Sequence, residues 1–438
     1  MGDDATSNAD IEGKAVLRKV TLRLIPFLFL LYVINLIDRT NIGIAKLQMV
    51  DGEHPVLSAE AYALGAGLFY IGYLLFEVPS NLIMLRVGPR VWIARIVITW
   101  GIISSLMMFA TGPISFGFLR VLLGFAEAGF FPGIIFYLSN WFPARVRGRA
   151  VATFMTGGVI APMLGNPISG LILVNMDGVA DLWGWQWVFL LEGIPAVLLG
   201  FATLYYLTDR PDQAAWLTPV ERNWLIAELA QEKSDDAAHH RHTLRAALAE
   251  PRIWLLIGIY FTVAVGDNVF GFYVPSFLKS EFRDWPADRI GFLAGAPYIL
   301  ALVAMVFAGW YSDRTGERRL FVAGSAFTAA AGWFLLAQAP SPWIFVLGLT
   351  ITLVGMKSML PTFWTLPATF LSGRAAAGGV ALINSVANLG GFFGPVILGY
   401  AKSDDGSFTV GFAIMSGILF SGGLLTLFVR TRPRREIA

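Results

Sequence analysis

Apolar and polar positions along this chain fall into long blocks instead of alternating. Runs of about twenty apolar residues recur from residue 24 to residue 429, and a helix of roughly that length crosses the hydrocarbon layer of a bilayer. The pattern predicts twelve spans, at 24–45, 60–84, 91–110, 114–139, 148–173, 185–207, 252–279, 290–311, 320–338, 342–366, 374–400 and 408–429. A polar stretch over 208–251 divides them six and six. It contains LTPVERNWLIAELAQEKSDDAAHHRHTLRAALAE, which reads as short amphipathic helical patches with no run able to cross. The expected organisation is a polar tail (1–23), a six-helix bundle (24–207), a linker (208–251), a second six-helix bundle (252–429) and a short tail (430–438). The first apolar run holds Asp38 and Arg39 and lacks a small-residue cleavage site, so it reads as a retained span and not a signal peptide.

Composition sharpens this into an all-α polytopic membrane protein. Residues are 56% hydrophobic and 14% charged, with mean hydropathy +0.64, against about 25% charged in soluble domains. The 46 glycines suit close helix packing in lipid. The chain has no cysteine, which excludes disulfides, thiolate nucleophiles and Cys-ligated metals. Three of the four histidines (His239, His240 and His242) lie in the polar linker and read as solvated. Nothing has the spacing of a serine elbow, a metal-ligand set or a phosphate loop, and no basic soluble region suggests nucleic acid. An enzyme is not expected, nor any cofactor beyond protons as a coupling ion.

Charge placement orients the spans. Lys46, Lys279, Arg283, Arg289 and Lys402 fall on one side, while most of the 32 Lys and Arg share the other with both termini and the linker. Positive charge marks the cytoplasmic side, so the termini and linker are expected there. Two linked bundles around a mid-membrane site are the outline of a transporter whose halves rock about its substrate.

Charges inside spans cost at least about 2.5–3.5 kcal/mol each and point to function. Asp38 and Arg39 are adjacent in the first span, and Arg120 and Glu127 lie seven apart on one face of the fourth. Asp267 with Asn268 in the seventh span and Lys357 in the tenth complete the mid-membrane set. An arginine fork matches a carboxylate, and a shielded acid beside it can exchange a proton as the anion comes and goes. Asp38 and Glu127 are therefore candidate proton carriers, and Arg39 the candidate anchor for a substrate carboxylate. Arg120 divides between substrate contact and a gating network, and Lys357 between meeting the anion from the second bundle and snorkelling to an interface. The plainer alternative is that Asp38–Arg39 and Arg120–Glu127 simply neutralise one another. Glu77 and Glu192, toward the cytoplasmic or peripheral parts of their spans, read as gating or packing residues. Asn384 and Asn388, four apart in the eleventh span, face one side and can bond a substrate or a neighbouring helix. Tyr73, Phe270, Tyr273, Phe363 and Trp364 are candidate pocket walls.

A family likeness rests on particular segments. GWYSDRTGERR, with Asp313, Arg314 and Arg318, resembles the cytoplasmic loop signature of the major facilitator superfamily, and Arg120-x-x-x-Gly124 fits its fourth-span signature. The equivalent first-half loop, NLIMLRVGPR, is degenerate, with Leu85 where the aspartate would stand; Arg145, Arg147 and Arg149 are expected to make alternative cytoplasmic contacts. LIDRTNIG, GYLLFEVPSN, LLGFAEAGFFPG, WFPARVRGR, WGWQWVFLLEGIPA and ALINSVANLGGFFGP are similar to the anion:cation symporter family, in its tartrate, phthalate and 4-hydroxyphenylacetate permease-like branch. That resemblance implies the major facilitator fold and proton-driven import of a small organic anion across a bacterial inner membrane, by a chain expected to work as a monomer. It also implies Asp38 and Glu127 as protonatable acids, Arg39 and Arg120 as the paired arginines, and Tyr73 and Asn388 as binding residues. An exporter on the same scaffold, or a uniporter or transport-like sensor, is the competing expectation.

Overall fold

The computed structural model describes residues 2–239, 250–367, 373–401 and 407–429. Among them, twelve helices are long and apolar enough to cross a membrane. Spans 1 to 6 are Gly13–Met49, Ala59–Val87, Pro89–Phe109, Pro113–Ser139, Ala144–Asn175 and Gly184–Tyr206; spans 7 to 12 are Pro251–Glu281, Ala287–Thr315, Arg319–Gln338, Pro342–Phe363, Leu382–Tyr400 and Thr409–Thr426. Outward apolar side chains such as Leu75, Leu198 and Val303 are exposed, as expected of a surface covered by lipid, while helices satisfy their own backbone polar groups.

The two halves repeat one packing plan. Span 3 packs on span 6, span 2 on span 4 and span 1 on span 5; in the second half span 9 packs on 12, span 8 on 10 and span 7 on 11. Between the halves, span 5 meets span 8, span 11 meets span 2, and the end of span 1 meets span 7. This is the architecture of two six-helix bundles expected from the sequence.

Local chemistry bends these helices where the bundles need it. Span 4 breaks into Pro113–Glu127 and Phe130–Ser139. At the break Gly129 takes φ +87° with its Cα against Ser80, a conformation that glycine adopts without penalty. The break leaves Glu127 at the end of a half-helix. On the face opposite the linker, Gly43 lies against span 7 so closely that a Cβ would come within 2.8 Å of the Gly271 carbonyl oxygen.

Two features differ from the pattern in the sequence. The polar start is no loose tail: one helix runs Gly2–Thr40, and its residues from Gly13 onward pack on a linker helix, Pro219–His239. Lys19 Nζ donates to Glu221 Oε2 at 2.7 Å, and the ammonium holds the Glu221 carboxyl below its usual range. Thr218 and Glu221 cap this helix reciprocally, through Thr218 N–H to Glu221 (2.8 Å) and Glu221 N–H to Thr218 Oγ1 (3.3 Å). Leu225 and Leu229 are buried, and Trp216 stacks on Trp141 at 5.4 Å. The linker helix thus belongs to the first bundle. Lys402 and the tail over 430–438 lie outside the described residues, as do His240 and His242.

Candidate functional site

Between the bundles lies a cavity of about 190 Å³, lined by spans 1, 2, 4, 5, 7, 8, 10 and 11 and by Trp364, just beyond the end of span 10. It is closed on the far face. There Tyr62 Oη donates to the carbonyls of Ile42 (3.2 Å) and Phe272 (3.0 Å). Lys46, counted from sequence as a far-side charge, is buried at this seam, donating to Asp51 and to Ser276 Oγ, both at 2.8 Å. Ser276 Oγ in turn donates to Asp51 at 2.9 Å. Toward the linker face the lining continues to Met155, Met305, Leu360 and Trp364. On that side Ser385 of span 11 donates to Glu77 of span 2 at 2.8 Å, which puts Glu77 at the bundle interface.

The charges expected near mid-membrane are here, but paired differently from what their sequence neighbours suggest. Arg39 bonds Glu127, with Nη2 at 2.6 Å and Nε at 3.2 Å from Oε2, and Asn35 Nδ2 donates to the same oxygen at 2.9 Å. Glu127 Oε1 is buried with no partner. A carboxylate at a helix C-terminus is electrostatically disfavoured, so the broken end of the half-helix needs this guanidinium. Asp38, one residue from Arg39, points away and accepts from Ser104 of span 3 and from Asn41 at 3.3 Å. Adjacent helical residues project about 100° apart, so Asp38–Arg39 could not pair face to face. Arg120 and Glu127 do share a face, but seven residues separate them by about 10.5 Å along the axis. Arg120 instead donates to the carbonyls of Gly65 (3.4 Å) and Ala66 (3.5 Å) and lies over the Phe69 ring, 4.8 Å from its centre. The neutralising pairs considered from sequence therefore do not form.

In the second bundle, Lys357 Nζ donates to Asp267 Oδ1 at 2.6 Å. Lys357 does not snorkel: it is buried and lines the cavity. Arg39, Tyr73, Lys357, Trp364, Asn384 and Asn388 all border the cavity, whereas Asp38, Arg120 and Glu127 do not. Arg39 lies over the rings of Phe69 (5.0 Å) and Tyr73 (5.4 Å). Of the other proposed walls, Phe270, Tyr273 and Phe363 pack away from it, Tyr273 donating to the Pro395 carbonyl at 3.3 Å.

Several lining residues carried no distinguishing sequence signal. Tyr32, Asn35, Tyr260 and Tyr298 sit in ordinary apolar runs, and only the fold brings them to one surface. Tyr70 donates to Asn268, joining spans 2 and 7 across the cavity.

The loop residues on the linker face are placed as follows. Arg318 Nη2 is 3.2 Å from Asp313, and Arg314 lies over Trp310 at 5.5 Å. Arg145 pairs with Glu228 of the linker helix at 3.1 Å, Arg147 donates to the Phe142 carbonyl at 3.0 Å, and Arg149 is exposed. The carboxylate missing at Leu85 has a stand-in: Asp209 accepts from the Arg90 backbone N–H at 2.8 Å and lies 3.9 Å from its guanidinium.

Against known proteins, the family model described as Major Facilitator Superfamily matches residues 28–287 and 256–438. A protein of Agrobacterium vitis named "Putative tartrate transporter" is 47% identical over 433 residues, spanning 99% of this chain and 95% of that protein. A "Quinolone resistance transporter" of Acinetobacter baumannii is 39% identical, spanning 97% and 96%. Among solved structures, the inward-open conformation of the xylose transporter XylE from E. coli superposes with a TM-score of 0.74 over 96% of this chain and 98% of that one. Its 15% identity speaks to the fold alone.

Proposed function

The chain belongs to the major facilitator superfamily and is a transporter, and on that premise we propose that it is a proton-coupled symporter importing a small organic carboxylate, foremost a dicarboxylate. Its setting in this reading is a bacterial inner membrane, with both termini and the linker cytoplasmic. One observation carries the proposal: Arg39 and Lys357, from opposite bundles, border one small cavity and are each held by an acid. A free dianion spans two such cations, and each carboxylate competes with the resident acid for its partner. Tartrate, named for the Agrobacterium vitis relative, is a compound of that class.

In the outward-open state the anion takes the Arg39 fork, and Glu127, released from it, binds a proton on its buried side. The load is then nearly neutral, so the bundles can close over it and reopen toward the cytoplasm. When the anion leaves, Arg39 recovers Glu127, the acid loses its reason to hold a proton, and the proton follows. Tyr73, Asn384, Asn388 and Trp364 shape the rest of the substrate, and Asp38 contributes a second protonatable group. Arg120 braces span 4 on span 2 at the gate, and the Asp313–Arg318 pair with Arg314 belongs to the cytoplasmic gate; Arg145 and Arg149 lie on the same face.

The relative named for quinolone resistance favours a second reading, export of a larger aromatic compound. The cavity volume of about 190 Å³ is below the roughly 300–1,000 Å³ of sites for drug-sized ligands, and two facing cations suit a small dianion better. Proteoliposome uptake under an inward proton gradient tests the proposal, with tartrate, a sugar acid, phthalate and 4-hydroxyphenylacetate in parallel and internal pH recorded. Saturable entry of one acid with matching internal acidification is expected. Entry of none by well-folded protein, with quinolone uptake into inverted vesicles, would overturn it.

A further inference from the structure

Behind the cavity wall, the first bundle buries a second acidic group that the substrate pathway does not use. Asp38 of span 1 and Glu192 of span 6 are 1% and 6% exposed, and neither borders the cavity. Glu192 is thus not peripheral, as its place in the sequence suggested, but inside the bundle. Ser169 of span 5 donates to its Oε1 at 2.6 Å. Ser104 of span 3 and Asn41 of span 1 both donate to Asp38 Oδ1. Gly193, next to Glu192, packs on Gly101 and Ser105, the span 3 residues around Ser104, and Gly165, one turn before Ser169, packs on Ile37, next to Asp38, so the two acids share one interior region of the bundle. Arg120 and Glu127 of span 4 also act on Asp38 electrostatically, and both are committed elsewhere, Arg120 to span 2 carbonyls and Glu127 to Arg39.

What remains is a set of acceptors without donors. Asp38 Oδ2, Glu192 Oε2 and Asn41 Oδ1 are all buried and unpartnered, and no lysine or arginine lies within ion-pair distance of either acid among the described residues. Two bare carboxylates in such a place are very costly, and an orphaned amide oxygen adds to the cost. The group therefore calls for positive charge. A metal cation needs room for its ligands, whereas a proton needs none and turns an orphan acceptor into a donor. Protonated acids supply O–H groups for the unused oxygens, including that of Asn41.

We propose that Glu192 is a third proton-binding acid of the first bundle, beside Glu127 and Asp38, forming with Asp38 and Asn41 a proton site walled off from the substrate cavity. This rests on the proton-coupled reading above. The site is linked to the substrate through the backbone of span 1, where Asp38 adjoins Arg39, so an anion drawing on Arg39 shifts the acid beside it. A proton held here, in addition to the one on Glu127, then lies in a compartment separate from the substrate, and the bundle charge is set by both sites.

The test measures proton uptake by the purified full chain in unbuffered detergent solution after a downward pH step, with a pH-indicator dye, together with the proton-to-substrate ratio in proteoliposomes. Glu192→Gln should take up about one proton fewer per chain than the wild type and lower the transport ratio. Ser169→Ala should keep the proton count but displace the pH profile. Folding is read from gel filtration, and should Glu192→Gln fail it, Glu192→Asp serves, with an unchanged count and a shifted profile expected. A wild-type count and profile in the glutamine variant, or in the aspartate variant when it is used, would make Glu192 a packing residue. Stimulation of wild-type uptake by Na⁺ in place of choline, lost in the glutamine variant, would assign the site to a metal ion instead. A wild type that moves no protons with any acid would sink the coupling reading itself, while the proton count would still decide separately whether Glu192 binds a proton.

Discussion

The two bundles hold their mid-membrane ion pairs in opposite senses. In the first, the acid is hidden and the cation faces the cavity: the Glu127 side chain is fully buried while Arg39 is 21% exposed. In the second, the cation is hidden and the acid faces the cavity: Lys357 is 7% exposed and Asp267 38%. An incoming anion therefore meets a presented guanidinium on one side and a screened ammonium on the other. Arg39 is built to bind first, with Glu127 behind it to answer by taking a proton. Lys357 becomes available only when Asp267 gives way, which makes it a test for a second carboxylate.

This contrast can be broken by mutation, the strongest effect first. Arg39→Ala should weaken binding of every carboxylate by at least about a hundredfold, because it also leaves Glu127 buried without its partner; substrate-induced thermal shift measures this, and near wild-type affinity would remove Arg39 from the site. Glu127→Gln should abolish accumulation against the proton gradient while counterflow of labelled substrate persists. Lys357→Met should cost a dicarboxylate about tenfold in affinity and a monocarboxylate of similar size less than about threefold. Equal losses for the two would end the claim that the bundles divide the labour. Asp267→Asn should have the smallest effect: by unmasking Lys357 it should tighten monocarboxylate binding about threefold, and a loss instead would mean the aspartate itself holds substrate.

The same contrast shows how far the residues alone could be read. Twelve spans and the polar divide were legible because lipid imposes a block pattern that few other structures produce, and buried charges such as Arg39 and Lys357 stood out against it. Their partners did not. Asp38 and Arg39 are covalent neighbours that helical geometry turns apart, Arg120 and Glu127 share a face at too great a height, and Lys357 finds Asp267 across 90 residues. The cavity tyrosines, Tyr32, Tyr260 and Tyr298, look in sequence like any aromatic in an apolar run. Asp209 replaces the carboxylate missing at Leu85 from beyond span 6, where no loop motif would direct attention. Spacing along one helix carries the which and not the with-whom.

The docked linker helix has a use beyond stability. The contacts described for it run to Gly13, Lys19 and Arg145, and Trp216 just before it stacks on Trp141, all in the first half, so it must travel with that half whenever the two rock. A spin label or fluorophore on an exposed position of this helix, paired with one at the linker-face end of span 9, would serve as a molecular ruler for the swing. It would report each turn of the transport cycle from water, without a probe ever entering the bilayer or the binding site.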